Sequence, residues 1–101
     1  MISVKTINKN EVVNLSFKFS NGCEVSVALG NGSYSRPPGN QGLSPARHSV
    51  EVAVFNENED FITRRVYQEL FQRDIYDDVA ASVTSDELAK VMAFVQAYPA
   101  K

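Results

Sequence analysis

Cysteine and histidine are almost absent from the chain, which contains one of each among its 101 residues. The single thiol, Cys23, has no partner for an internal disulfide and supplies too few ligands for a structural zinc site. Packing alone must therefore stabilise the fold, and a composition with 44% hydrophobic and 22% charged residues is that of an ordinary globular protein. We expect residues 1–101 to form a single domain.

Long apolar runs and clusters of basic residues are also missing. No stretch approaches the ~20 apolar residues of a membrane-spanning helix, and the opening MISVKTINKN has no long apolar run after its charges. We therefore expect a cytoplasmic protein that does not enter a membrane. The one adjacent basic pair is Arg64 and Arg65, whereas nucleic-acid binders carry a basic stripe, so binding of DNA or RNA is disfavoured.

Two stretches near the start of the chain alternate between apolar and polar residues, which is typical of strands with one buried face. A third such stretch is SVEVAVF, and the opening ISVKTI is interpreted as an additional strand at an edge of the sheet. The predicted inward residues are Val13, Leu15, Phe17 and Phe19, then Cys23, Val25, Val27 and Leu29, then Val50, Val52 and Val54, whereas Glu51 and Ala53 are predicted to face outward.

The Asn-Gly pair between the first two of these strands raises the question of turn length. A two-residue turn would set Phe19 opposite Glu24 and place the two apolar faces on opposite sides of the sheet. We therefore predict a three-residue loop that sets Phe19 opposite Cys23, with Gly22 in the left-handed conformation. Asn21 and Gly22 are interpreted as turn residues only, and Cys23 as a core thiol.

The tract FITRRVY fits two periodicities. A fourth strand that turns back after NENED is favoured by the alternation pattern and by the sheet preference of the residue types in this tract. The residues on one side of the alternation are Phe61, Thr63, Arg65 and Tyr67. A helix over residues 62–73 is the alternative, because apolar residues also recur there at helical spacing. Both interpretations of residues 62–75 stay open.

The last element carries clear helix signals. Thr84 and Glu87 fit a capping box in which the threonine hydroxyl accepts from a backbone amide and the glutamate reaches back to the cap. An apolar stripe follows at helical spacing, and Pro99 is expected to stop the helix. The predicted fold is α+β, an antiparallel sheet of about four strands with a C-terminal helix packed on one face. The stripe consists of Leu88, Val91, Met92 and Val95.

Motifs for catalysis or metal binding are incomplete. NENED places oxygen ligands at the spacing of a calcium loop, but Phe61 and Tyr67 stand where the glycine and the bidentate glutamate belong, so a polar turn is favoured. Asp77 and Asp78 point apart as chain neighbours and are interpreted as solvated or capping residues. We expect no metal, no cofactor and no catalytic residue.

A Gly/Pro-rich loop at residues 30–48 is the strongest candidate for a contact with another molecule. Its GNGSYS segment lacks the third glycine of a dinucleotide fingerprint, and two prolines follow where a helix would have to begin. Such a loop is either mobile or a binding element. Its candidate binding residues are Tyr34, Arg36, Arg47 and His48, since tyrosine and arginine dominate interface hot spots.

The segments that carry a resemblance to known proteins are, in chain order, FSNG, VSV, GSYS, EVAVF, FIT, DDV and TSDELAKVM. Through them, about two-thirds of the chain resembles small uncharacterised proteins of tailed phages and prophages. The segment YQELFQRDIY before Asp77 departs from the shorter link of that group. No catalytic residue transfers from the resemblance. It implies an accessory phage protein that acts in the host cytoplasm and binds or inhibits a host protein.

The expected function is accordingly that of a small non-enzymatic protein-binding module. Its partner is expected to be a protein, with homo-oligomerisation left open. The alternative is a small-ligand or nucleotide-binding protein that uses the loop at residues 30–48, and a hydrolase ranks third.

Overall fold

The computed structural model describes residues 1–8, 11–29 and 49–99. Within these ranges the chain forms one antiparallel sheet of five strands and two helices, and the strands follow one another in the sheet in chain order. The predicted α+β class with a C-terminal helix is confirmed, with five strands where about four were expected. The elements are β1 Ile2–Asn8, β2 Glu11–Lys18, β3 Glu24–Ala28, β4 Val50–Phe55, α1 Thr63–Phe71, β5 Ala80–Val83 and α2 Ser85–Gln96.

The β2–β3 turn has the predicted length and register. Phe17 pairs with Val25, and the amide of Phe19 donates to the carbonyl of Cys23 at 2.9 Å, so a three-residue loop joins the strands. Gly22 has a φ of 88°, the left-handed value expected for this loop. Leu15 and Phe17 of β2 therefore share one face of the sheet with Val25 and Val27 of β3.

Asn21 has a larger role than that of a turn residue. Its side-chain amide donates to the carbonyls of Val95 and Tyr98, at 2.9 and 3.0 Å, at the end of α2. Its side-chain oxygen accepts from the amide of Cys23 at 3.0 Å. The interpretation of Asn21 as turn chemistry alone is therefore incomplete, because this side chain also donates to carbonyls where α2 ends. One of these, the carbonyl of Val95, accepts from the backbone amide of Tyr98 at 3.1 Å as well.

The predicted strand over FITRRVY is wrong, and the alternative of a helix is correct. Residues Thr63–Phe71 form α1, and only Phe61 keeps a strand-like bridge, with Phe55. Ile62 and Val66 recur at helical spacing and are buried, whereas Arg64 and its neighbour Arg65 are exposed. Burial at a period of 3.6 residues, which a strand would not give, decided between the two periodicities.

The core lies between the helices and the inner face of β3 and β4. The α2 helix packs on β3 and α1 packs on β4. Four valines on this face, Val25, Val27, Val52 and Val54, are 0–3% exposed. Ala53, predicted to face outward, pairs with Ser26 on the opposite face but is only 8% exposed.

The capping box at the start of α2 is half correct. Thr84 Oγ1 accepts from the amide of Glu87 at 3.3 Å, as predicted for an N-cap residue. The carboxylate of Glu87 does not reach back to the cap, because it binds Tyr67 and Arg73 instead. The helix ends at Gln96, before Pro99, and its buried residues are Val91 and Val95.

Candidate interaction surface

The binding residues predicted on the Gly/Pro-rich loop lie outside the described residues. These residues are Tyr34, Arg36, Arg47 and His48, and the whole loop at residues 30–48 also lies outside the described ranges. The loop therefore stays a prediction, both as a protein contact and as a site for a small ligand.

The inner face of the sheet continues beyond the part that the helices cover. Directly opposite residues of antiparallel strands point to the same face, so the register defines two apolar rows across four strands. Exposure along each row rises toward the β1 edge, to 63% at Ile2 and 57% at Val4. The rows are Ile2, Phe17, Val25 and Val54, and Val4, Leu15, Val27 and Val52.

We call the outer part of these rows, formed by Ile2, Val4, Leu15 and Phe17, the β1 ledge. Leu15 and Phe17 are half-buried and pack against the core, so the ledge is continuous with the buried interior. Two neighbouring aliphatic side chains, Ile2 and Val4, extend it on the edge strand. Edge strands usually carry charges or irregularities that prevent pairing with other chains, so an apolar edge of this kind indicates a contact surface.

The backbone of β1 offers hydrogen-bonding groups along the same edge. Met1 and Lys18 exchange backbone hydrogen bonds of 2.8 and 2.9 Å, which makes them a hydrogen-bonded pair of the β1–β2 ladder. Hydrogen-bonded and non-hydrogen-bonded pairs alternate in an antiparallel ladder, so the N–H and C=O groups of Ile2 and Val4 point away from β2. Ile2 and Val4 therefore combine exposed apolar side chains with outward backbone groups.

The two edges of the sheet differ. At the other edge, β5 has only four residues, its register with β4 shifts between Val50 and Val52, and Ser82 has a left-handed φ of 56°. Such irregularity prevents regular strand addition. On β1 the register with β2 is regular from Ile2 to Lys5 and first shifts after Lys5. β1 also becomes irregular beyond Lys5, where its register with β2 shifts twice, so the regular, apolar stretch of edge is residues 2–5.

The outer face of the same strands is polar. Asn14 on β2 donates to Ser26 Oγ on β3 at 2.9 Å and accepts from Ser16 Oγ at 3.2 Å. Lys5 of β1 lies on this face opposite Asn14, and Lys18 lies opposite Glu24. A strand added beside β1 would therefore meet apolar side chains on one face and lysine and serine on the other.

A cavity of about 620 Å³ lies beside the start of α1. Two arginines, Arg64 and Arg65, and the 93% exposed ring of Tyr76 line it together with Asp74 and Asp78. Arg64 Nε donates to the carbonyl of Ile75 at 3.2 Å. Charges of both signs therefore line this cavity.

Cys23 is a core residue, as predicted. It is 5% exposed and lines a smaller cavity of about 160 Å³ with Asn21 and Glu57. Burial, and secondarily the charge of Glu57, raise the pKa of its thiol, so the thiol stays protonated at neutral pH. This environment does not produce the thiolate that nucleophilic chemistry requires.

A partly buried hydrogen bond joins the two helices. The hydroxyl of Tyr67, whose side chain is fully buried, donates to Glu87 Oε2 at 2.7 Å. Arg73 Nη1 lies 3.2 Å from Glu87 Oε1. The guanidinium group of Arg73 also lies over the rings of Tyr67 and Phe71. Burial, followed by the hydrogen bond and charge of Glu87, raises the pKa of Tyr67 well above its ordinary value, so we interpret this network as structural.

The acidic motifs form no metal centre in the described part of the chain, where no group of three or more histidine, cysteine or carboxylate side chains could hold an ion. Asn56 Oδ1 accepts from the amides of Asn58 and Asp60, so NENED forms the predicted polar turn. Asp77 is exposed and accepts from the amide of Asp78 at 2.7 Å.

The residues of the β1 ledge were predicted as strand residues but not as a site. The signal in the sequence is the alternation of Ile2 and Val4 in the stretch predicted to be an edge strand. Their exposure depends on which strands the helices cover, and alternation alone does not determine that.

Comparison with protein-family models, with characterised proteins and with solved structures finds no match for the chain. Among residues 1–8, 11–29 and 49–99, no helix has the length and apolar character needed to cross a membrane.

Proposed function

We propose that the chain is a small non-enzymatic protein-binding module that takes an extended segment of another protein as an additional strand beside β1. One observation carries the proposal: Ile2 and Val4 combine outward backbone groups with exposed apolar side chains. Strand addition uses both features, because backbone hydrogen bonds supply affinity and alternate side chains supply specificity.

The apolar contribution comes from the β1 ledge. Full burial of an isoleucine or valine side chain stabilises by about 1.5–3 kcal/mol, and Ile2 and Val4 are still more than half exposed. A bound strand that covers both side chains would recover a large part of that free energy. Leu15 and Phe17, each half-buried, extend the apolar surface beneath the added strand.

The non-enzymatic assignment rests on the state of the one thiol. Cys23 is buried and its pKa is raised, so it is a poor nucleophile. The hydroxyl of Tyr67 donates to Glu87 in a partly buried hydrogen bond. These groups stabilise the fold, and we assign the function to the sheet edge.

The proposed source of the partner rests on the resemblance of sequence segments to small proteins of tailed phages and prophages. We propose an accessory phage protein that acts in the bacterial cytoplasm, where it binds or inhibits a host protein. A second copy of the chain is the competing occupant of the β1 edge.

The test compares partner capture from a bacterial lysate by the unmodified protein and by Val4→Pro. Proline at this position removes an outward N–H and leaves the bonds to β2 in place, which edge strands tolerate. Val4→Ala is the matched control, because it trims the side chain and keeps the N–H. The melting temperature of each variant shows whether the fold is retained.

We expect the unmodified chain to capture a partner protein from the lysate. Val4→Ala should capture the same protein more weakly, and Val4→Pro should not capture it. The captured protein, once purified, should slow amide hydrogen exchange at Ile2 and Val4. Equal capture by a folded Val4→Pro variant would show that the β1 edge is not the binding surface.

A further inference from the structure

The charge pattern of the β1 edge specifies the partner segment further. Resting on the proposed function, we infer that the added strand alternates apolar residues, which face the β1 ledge, with polar residues, one of which is an acidic residue opposite Lys5.

Side-chain direction follows from pairing. A residue directly opposite Ile2 or Val4 points to the same face as these side chains, toward Leu15 and Phe17. A residue opposite Ser3 or Lys5 points to the polar face. Any strand that pairs regularly with β1 must therefore alternate, whether it runs parallel or antiparallel to β1.

The charge on the polar face is positive at this edge. Across the β1–β2 ladder the neighbour of Lys5 is Asn14, which is neutral, whereas Lys18 in β2 has Glu24 opposite it. A carboxylate on the added strand opposite Lys5 would give it the cross-strand partner that Lys18 already has. Opposite charges directly across strands stabilise a pair, and like charges destabilise it.

A second copy of the chain matches this edge less well. Its β1 sequence, ISVKTIN, offers apolar residues to the ledge but contains a lysine and no carboxylate. Pairing of two β1 strands would therefore add positive charge near Lys5 and supply no opposite charge. An acidic and apolar strand from another protein satisfies both faces.

The test uses two capped peptides of seven residues, the length of β1. One alternates valine with glutamate and the other alternates valine with lysine. Binding is followed at low salt by NMR shifts of the Ile2 amide, which all of the variants retain, since short strands bind weakly. The proteins are the unmodified chain, Lys5→Glu, Val4→Pro, and Lys90→Glu as a charge-matched control on the exposed face of α2.

We expect the unmodified chain and Lys90→Glu to prefer the glutamate peptide by up to about fivefold, the range of one cross-strand charge pair. Lys5→Glu should reverse the preference, and added salt should weaken it. Val4→Pro should bind neither peptide.

The remaining outcomes separate the two proposals. Equal binding of both peptides by the unmodified chain, lost in Val4→Pro, would overturn the acidic pattern and leave strand addition intact. Binding unaffected by Val4→Pro would overturn both. Failure of both peptides, with self-association of the unmodified chain that Val4→Pro abolishes in sedimentation, would identify a second copy as the occupant and overturn the inference.

Discussion

The hydroxyl of Tyr67 on α1 donates a 2.7 Å hydrogen bond to Glu87 Oε2 on α2, and this bond links the two helices above the sheet. The tyrosine is fully buried, and the glutamate side chain is 18% exposed. Removal of the hydroxyl would leave a largely buried carboxylate without one of its donors.

Tyr67→Phe should therefore lower the free energy of unfolding by about 1–2 kcal/mol, the range for loss of a hydrogen bond to a partly buried charged group. Urea denaturation measures the change. Tyr76→Phe is the control, because Tyr76 is 93% exposed and its replacement should change stability by less than about 0.5 kcal/mol. A loss of equal size in both variants would contradict a specific role for the Tyr67–Glu87 bond.

The raised pKa of Tyr67 predicts loss of stability at alkaline pH. An unfolded tyrosine loses its proton near pH 10, whereas Tyr67 in the folded chain keeps its proton to higher pH. Above about pH 10 the unfolded state binds fewer protons than the folded state, so the free energy of unfolding falls as pH rises. Denaturation between about pH 8 and pH 11 should show this slope, and Tyr67→Phe should reduce it. If the free energy of unfolding falls with pH equally steeply in Tyr67→Phe, a group other than Tyr67 causes the fall.

Asn21→Ala should destabilise by about 1–2 kcal/mol, because it removes the donor to the carbonyls of Val95 and Tyr98 at the end of α2. Asn58→Ala, at an exposed position of the NENED turn, is the control. Amide exchange should become faster in the last turn of α2 in the first variant and stay unchanged in the second. A neutral Asn21→Ala variant would show that water replaces this donor.

Gly22→Ala should destabilise by about 2 kcal/mol or more, from two separate causes. The φ of 88° is strained for any residue with a Cβ, and an added Cβ would lie 2.7 Å from Cβ of Glu57. Repeating the substitution in a Glu57→Gly background removes the clash and keeps the strain. If the penalty is the same in both backgrounds, the contact with Glu57 contributes nothing.

Phe17→Ala should destabilise by about 2–3 kcal/mol, less than the ~3–5 kcal/mol of a fully buried phenylalanine, since Phe17 is half-buried on the β1 ledge. Lys18→Ala, on the opposite face, should be nearly neutral. Thermal unfolding measures both variants. Equal effects would contradict the register that places Phe17 toward the core.

The strands with strict alternation could be predicted from the sequence because a period of two residues identifies both the strand and its buried face. The register of β2 and β3 followed from keeping Phe17 and Val25 on one face, and the structure has that register. The tract that forms α1 fits both periods, so only its packing on β4 decides between them. The short strand AASV was not predicted, because four small residues without alternation carry little strand signal.

The candidate site was less predictable than the fold. Exposure of Ile2 and Val4 depends on where the helices end across the sheet, which is a tertiary property. The bonds from Asn21 to α2 are also long-range, since local sequence shows only a turn residue. The sequence favours the Gly/Pro-rich loop at residues 30–48, which contains one tyrosine and two arginines, and the structure adds an edge strand as a second candidate.

The bond from Asn21 to Val95 also has a consequence for synthesis on the ribosome. The two residues are 74 positions apart, so at ~5–20 residues per second translation reaches Val95 about 4–15 s after Asn21. During that interval Val25 and Val27 have been made, but the helix that covers them has not. The nascent chain therefore presents an apolar hairpin to chaperones and proteases until its last helix emerges.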